Sequence, residues 1–112
     1  MNELSNRELV VSALARGKEQ RLNYLLKPLD GTGPDTYGKL AVLFRQGIFL
    51  VVIRERKPYT VRYQPEEYRA DELYALPDLA AVERLLATRL RTQLAELRPS
   101  KGMRLFSKEQ FG

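Results

Sequence analysis

The 112-residue sequence contains no histidine, no cysteine and no tryptophan. Histidine is the side chain that most often serves as a general base near neutral pH, and cysteine is both a nucleophile and a soft metal ligand. Their absence excludes histidine-dependent catalytic triads, thiol chemistry, disulfides and the usual zinc sites. We therefore expect a binding protein, with no enzymatic activity, no cofactor and no metal.

Long apolar runs and a signal peptide are also missing. The longest unbroken apolar run, Ile48 to Ile53, is far shorter than the roughly 20 residues that a membrane span needs. The first residues, Met1 to Ser5, lack the basic and then apolar order of a signal peptide. These absences predict a cytoplasmic protein that does not cross a membrane.

The chain is basic, and its charge is unevenly distributed. Its Lys and Arg residues number 19 and its Asp and Glu residues 14, for a formal net charge of +5 with 44% hydrophobic residues. Residues 65–83 are acidic, and the segments 31–64 and 84–112 on either side are basic. Either the acidic segment neutralises the basic segments within the fold, or the basic segments remain available to bind a partner. We expect a single globular domain over 1–98 and a basic tail over 99–112.

The N-terminal third contains one clear element and one ambiguous one. Ser5 followed by Glu8 is a capping-box pattern, and it predicts a helix over 6–16 that stops at Gly17. Residues 19–29 fit both the apolar face of a helix and a strand, and both interpretations stay open.

The centre of the chain predicts an antiparallel sheet. Leu40–Phe44 is apolar and compatible with a strand, Gln46-Gly47 offers a tight turn, and Ile48–Ile53 is typical of a central strand. Tyr59–Gln64 alternates between apolar and polar residues, as an outer strand does. A short helical turn is predicted near Asp71–Leu76.

Leucines at helical spacing predict a long C-terminal helix over 77–97. Together these elements predict an α+β fold, in which an N-terminal helix and a long C-terminal helix pack on a small antiparallel sheet of three or four strands.

One segment has the spacing of a phosphate-binding loop. Gly33, Gly38 and Lys39 match the pattern G-x-x-x-x-G-K. Leu40, however, stands where the magnesium-binding Ser or Thr belongs, and the following residues predict a strand where the motif requires a helix. We interpret the segment as a Gly/Pro connection into a strand.

The predicted C-terminal helix carries an arginine stripe. Arg84, Arg91 and Arg98 are seven residues apart, and neither they nor Arg89 has an acidic residue three or four positions away. Arginine suits contact with phosphate or carboxylate groups, so the stripe indicates a docking face. The alternative is a solvated flank whose aliphatic stems cover apolar surface.

A second basic group lies around the predicted strand Tyr59–Gln64. Tyr59 and Tyr63 alternate with basic residues there, which is typical of a single-strand nucleic-acid platform if the rings face outward and of core if they face inward. The basic residues are Arg54, Arg56, Lys57 and Arg62.

These patterns predict a small non-enzymatic basic protein that engages nucleic acid or a nucleoprotein complex. The alternative is a protein-binding adaptor or inhibitor, for example a phage-type inhibitor or accessory subunit of a host enzyme, which docks on an acidic protein surface through its sheet edge, long helix or tail. The predicted contact residues are Arg54, Arg56, Lys57, Arg62, Arg84, Arg91 and Arg98.

Overall fold

The computed structural model of the chain describes residues 5–27, 29, 31, 36–55 and 72–100. The predicted outer strand Tyr59–Gln64 and residues 101–112 of the predicted tail lie outside the described residues. In chain order the elements are α1 (Asn6–Ala15), β1 (Gln20–Leu26), β2 (Thr36–Arg45), β3 (Ile48–Glu55), β4 (Glu72–Leu76), α2 (Leu79–Leu90), a 3₁₀ helix (Leu94–Glu96) and β5 (Arg98–Pro99).

The strands form one antiparallel sheet in the order β4-β3-β2-β1-β5. The predicted α+β class with an antiparallel sheet and two helices is confirmed, although the described residues contribute five strands where three or four were expected. The ambiguous segment 19–29 contains a strand, β1. The helical turn predicted near Asp71–Leu76 was wrong, because this segment pairs with β3 from Glu72 to Leu76.

Local signals account for the first helix and the central hairpin. The Ser5 hydroxyl oxygen accepts a hydrogen bond from the Glu8 backbone N–H at 3.2 Å, and Gly17 follows the helix with φ of 76°. Gln46 and Gly47 both adopt positive φ, as the tight turn between β2 and β3 requires. The predicted helix and turn are confirmed.

The second helix is shorter than predicted. Its last residue is Leu90, after which Arg91 takes a left-handed conformation and the Thr92 N–H donates to the Leu86 carbonyl at 3.1 Å. Leu94 and Leu97 remain buried because the 3₁₀ helix returns them to the core. The leucine spacing therefore fits a continuous helix even though the helix has ended.

Both helices cover one side of the sheet, which we call the helix face. The buried core lies there and is built from α1, α2, the 3₁₀ helix and alternate strand residues. The intervening strand residues define the opposite side, the second face, where Ala41 and Val52 form a smaller buried cluster with Leu43 and Leu50 packed against it.

Candidate functional site

The second face brings four basic residues together across four adjacent strands. Arg21 of β1 lies directly opposite Arg98 of β5, and Lys39 of β2 lies directly opposite Arg54 of β3. Directly opposed residues of an antiparallel pair project from the same side of the sheet, with Cβ atoms about 5 Å apart. We call Arg21, Lys39, Arg54 and Arg98 the cation cluster.

No carboxylate stands at a described strand position of the second face. The nearest carboxylate in strand register is that of Glu19, which precedes β1. Its Oε2 accepts a hydrogen bond from the Ser100 hydroxyl at 2.6 Å. One nitrogen of Arg98, Nη1, donates to the carbonyl oxygens of Ala95 and Leu97 at 2.9 and 2.8 Å. The exposed apolar side chains of this face sit at separate strand positions, which is ordinary for a protein surface.

The structure separates the predicted arginine stripe. Arg84 is exposed on α2, Arg91 caps that helix in a left-handed conformation, and Arg98 belongs to β5. The single helical stripe was therefore wrong, because the helix ends before the second arginine. Among the described residues none of the three forms an ion pair, and the Arg91 Nη2 donates to the Lys27 carbonyl at 2.9 Å. Of the predicted contact residues, Arg56, Lys57 and Arg62 lie outside the described part, and so do Tyr59 and Tyr63.

Arg89, which has no acidic neighbour along its helix, finds its partners on the sheet. Its Nη2 lies 2.6 Å from Glu72 Oε2 and 3.1 Å from Glu55 Oε1, and its Nε donates to Glu72 Oε1 at 3.2 Å. The side chains of Arg89 and Glu55 are 24% and 7% exposed. The hydrogen bonds to Glu72 and then to Glu55 raise the pKa of Arg89, so that it stays charged. This bridge ties α2 to β3 and β4.

Two tyrosines extend the bridge. The Tyr24 hydroxyl donates to Glu55 Oε1 at 3.2 Å, and the Tyr74 hydroxyl donates to Glu72 Oε1 at 2.5 Å. Burial raises the pKa of Tyr24, with a further rise from the Glu55 charge, while the hydrogen bond to Glu72 raises that of Tyr74. Both phenols are therefore held neutral as donors. We interpret the group as a structural tie between layers, since its carboxylates are engaged by a permanent cation.

Gly38 makes room for the buried tyrosine. It lies in register between Tyr24 and Glu55, and a Cβ there would come within 2.8 Å of the Tyr24 hydroxyl and 2.3 Å of the Arg54 carbonyl oxygen. The second glycine of the loop-like motif thus has a packing role in β2, while residues 33–35 of that motif lie outside the described residues.

A second ion pair joins the two helices at the surface. The Arg7 guanidinium contacts the Glu83 carboxylate through two bonds, of 2.7 and 3.0 Å. The hydrogen bond from Arg7 lowers the pKa of Glu83.

A groove of about 670 Å³ runs beside the outer edge of β1. One wall is Leu22 to Leu25 of that strand, and the other comes from the end of α2 and the chain that follows it. The described residues of the second wall are Ala87, Leu90, Arg91, Thr92, Gln93 and Glu96.

In the described part of the chain, no group of three or more Asp or Glu residues is placed to hold a metal ion. Neither described helix combines the length and the apolarity of a membrane span. No protein-family model, curated protein or solved structure matches the chain.

Arg21 and Lys39 were not among the contact residues predicted from the sequence, and the partners of Arg89 were not identified there. Arg21 and Lys39 each lie at an alternating position of a strand, which is a local signal. That the two residues belong to the same cluster, however, depends on the strand register. The partners of Arg89 lie 17 and 34 residues away along the chain, beyond the reach of a search for helical neighbours.

Proposed function

We propose that the protein is a non-enzymatic binding protein that engages nucleic acid, free or within a nucleoprotein complex, through the cation cluster. The supporting observation is the two like-charged cross-strand pairs, Arg21 with Arg98 and Lys39 with Arg54. Like charges at directly opposed strand positions destabilise a sheet. A polyanion lying over Arg21 and Arg98 converts their repulsion into attraction, and Lys39 and Arg54 extend the basic surface beside them.

The size of the cluster suits a phosphate backbone. Four strands spaced by about 4.8 Å span about 14 Å, which corresponds to roughly four phosphates along one nucleic-acid strand. Arginine contacts phosphate through two parallel hydrogen bonds, and lysine does so as a point charge. Phosphate contacts position a protein without reading bases, so we expect binding that depends little on sequence.

Two of the residues predicted from the sequence, Arg54 and Arg98, belong to this cluster. Arg84 and Arg91 lie on the helical layer, and we do not assign them to the contact surface. Arg56, Lys57 and Arg62 stay predictions.

The test is fluorescence anisotropy of a labelled oligonucleotide, in single-stranded and duplex form, at several salt concentrations. The double variant Arg21→Gln/Lys39→Gln removes two phosphate contacts. Counterion release then predicts that the slope of log K against log salt falls in magnitude by about 1.4 for a single strand and about 1.8 for a duplex.

The matched control is Arg16→Gln/Arg84→Gln, which removes the same charge from two exposed positions of the helical layer. We expect its salt slope to equal that of the unmodified protein. Equal losses in the two double variants would show a response to net charge alone and would refute the assignment to the second face. The absence of salt-sensitive binding to either oligonucleotide would refute nucleic-acid binding.

A further inference from the structure

The described strands cover the outer edge of β1 only in part. β5 pairs with Gln20 and Arg21 alone, and the Ser100 N–H donates to the Glu19 carbonyl at 3.2 Å. The N–H and C=O of one residue in an antiparallel strand point to the same side, and successive residues alternate. Odd-numbered residues of β1 therefore direct their backbone groups outward, and even-numbered residues direct theirs to β2.

Beyond β5, this alternation leaves two residues facing the groove. The described strands provide no partner for the outward N–H and C=O groups of Asn23 and Leu25. The next outward carbonyl, that of Lys27, accepts from Arg91 Nη2 at 2.9 Å. The opening is bounded by β5 at one end and by the Arg91 guanidinium at the other.

We propose that this groove binds the C-terminal end of a partner protein as an extended peptide that adds to β1 between β5 and Arg91. An extended chain is the occupant whose N–H and C=O groups repeat at the spacing offered by Asn23 and Leu25. The two outward residues accommodate a segment of about four or five residues. This site corresponds to the alternative predicted from the sequence, a protein-binding adaptor, and is separate from the cation cluster.

The charges that line the groove determine the direction in which the peptide runs and which of its two ends is bound. Arg91 makes the groove basic where β1 ends, and Lys27 lines the neighbouring cavity that Arg91 also borders, whereas Glu96 lines the groove on the other side. A peptide parallel to β1 brings its terminal carboxylate to the basic end, and the antiparallel direction would bring its amino terminus there. Arginine is the side chain best suited to hold a carboxylate through two hydrogen bonds. Alternate side chains of the peptide lie against Ala87 and Leu90, which favours small apolar residues.

The probe is a fluorescein-labelled hexapeptide of alternating valine and threonine with a free C-terminal carboxylate, titrated with the full chain. We expect saturable binding of this peptide, and about tenfold weaker binding when its terminus is amidated, which is the loss expected for one charge-assisted hydrogen bond. A peptide with one N-methyl group at a ladder position should bind about tenfold more weakly as well.

Two protein variants locate the site. Arg91→Gln should bind the acid and amide peptides equally, because it removes the group that distinguishes them, while Arg84→Gln on the same helix keeps the tenfold difference. Leu25→Pro removes one outward N–H without removing a bond to β2, and it should weaken both peptides. If Leu25→Pro does not fold, the N-methyl peptide tests the same hydrogen bond on the unmodified protein.

The proposal fails if no peptide binds up to about 1 mM, or if the acid and amide peptides bind the unmodified protein equally. It also fails if sedimentation shows a dimer that Arg91→Gln or Leu25→Pro dissociates, since the edge would then serve a second copy of this chain. The oligonucleotide salt slope of Arg91→Gln separates this outcome from the nucleic-acid proposal, because we expect that slope to stay unchanged.

Discussion

Replacement of Arg89 by methionine should lower the urea concentration at which the protein unfolds. Methionine keeps an unbranched side chain with similar helix propensity but has no guanidinium, so the variant isolates the loss of that group. That group contacts Glu72 at 2.6 and 3.2 Å and Glu55 at 3.1 Å. The Glu55 carboxylate belongs to a side chain that is only 7% exposed, so water can replace the guanidinium there only in part.

The magnitude follows from this burial. Removing one partner of a buried ion pair costs about 3–5 kcal/mol, whereas an exposed pair contributes about 0–1 kcal/mol. Arg89 is 24% exposed and Glu72 33%, so solvent recovers part of the loss. We expect a decrease of about 2–3 kcal/mol in the free energy of unfolding, which is a fall of about 1.5–2 M in the urea midpoint for a protein of this size.

The assay is urea unfolding followed by circular dichroism, with Arg84→Met as the matched control. Arg84 lies on the same helix, is exposed and forms no ion pair within the described residues, so its replacement should shift the midpoint by less than about 0.4 M. Glu55→Gln gives a second measurement. It should destabilise the unmodified protein and destabilise Arg89→Met much less, because in that variant the Glu55 charge no longer contacts the Arg89 guanidinium. Equal midpoints for Arg89→Met and Arg84→Met would show that the Arg89 bridge does not stabilise the fold.

Four further substitutions test the packing and the titrating groups. Gly38→Ala places a Cβ 2.3 Å from the Arg54 carbonyl oxygen, so it should cost about 1–3 kcal/mol; an unchanged Tm in thermal unfolding would contradict the close packing there. The raised pKa of Tyr24 means that the unfolded chain ionises first as the pH rises above about 10. Stability should fall in that range, with a smaller slope of urea midpoint against pH in Tyr24→Phe; identical slopes would rule out the buried phenol as the cause. The lowered pKa of Glu83 contributes stability that is lost as the pH falls below about 4. Glu83→Gln, which cannot titrate, should lose less stability on acidification than the unmodified protein, and Arg7→Gln should behave alike if the ion pair is responsible.

The elements that local chemistry determines were predictable from the sequence. The Ser5 cap, the positive φ at Gly47 and the apolar run of β3 each depend on residues within a few positions of one another. β4 could not be predicted in this way, because Glu72, Leu73 and Ala75 suit a helix as well as a strand, and pairing with β3 decides between them.

The candidate sites show the same division between local and distant information. That Arg21 and Lys39 belong to one basic face becomes visible only when the strand register is known. The end of α2 at Leu90 was hidden, since Leu94 and Leu97 continue the leucine spacing in a 3₁₀ helix. The predicted arginine stripe depended on that missing length of helix.

The last residue of β5 has a consequence for how the protein behaves at high concentration. Because the Arg98 and Ser100 positions face β1, the nitrogen of Pro99 faces away from it, and proline carries no hydrogen there to donate. A further strand therefore finds no donor at the Pro99 position of β5. We expect the proline, together with the two-residue opening beside it, to admit a short guest segment at this margin and to discourage the endless stacking of copies that leads to fibrils.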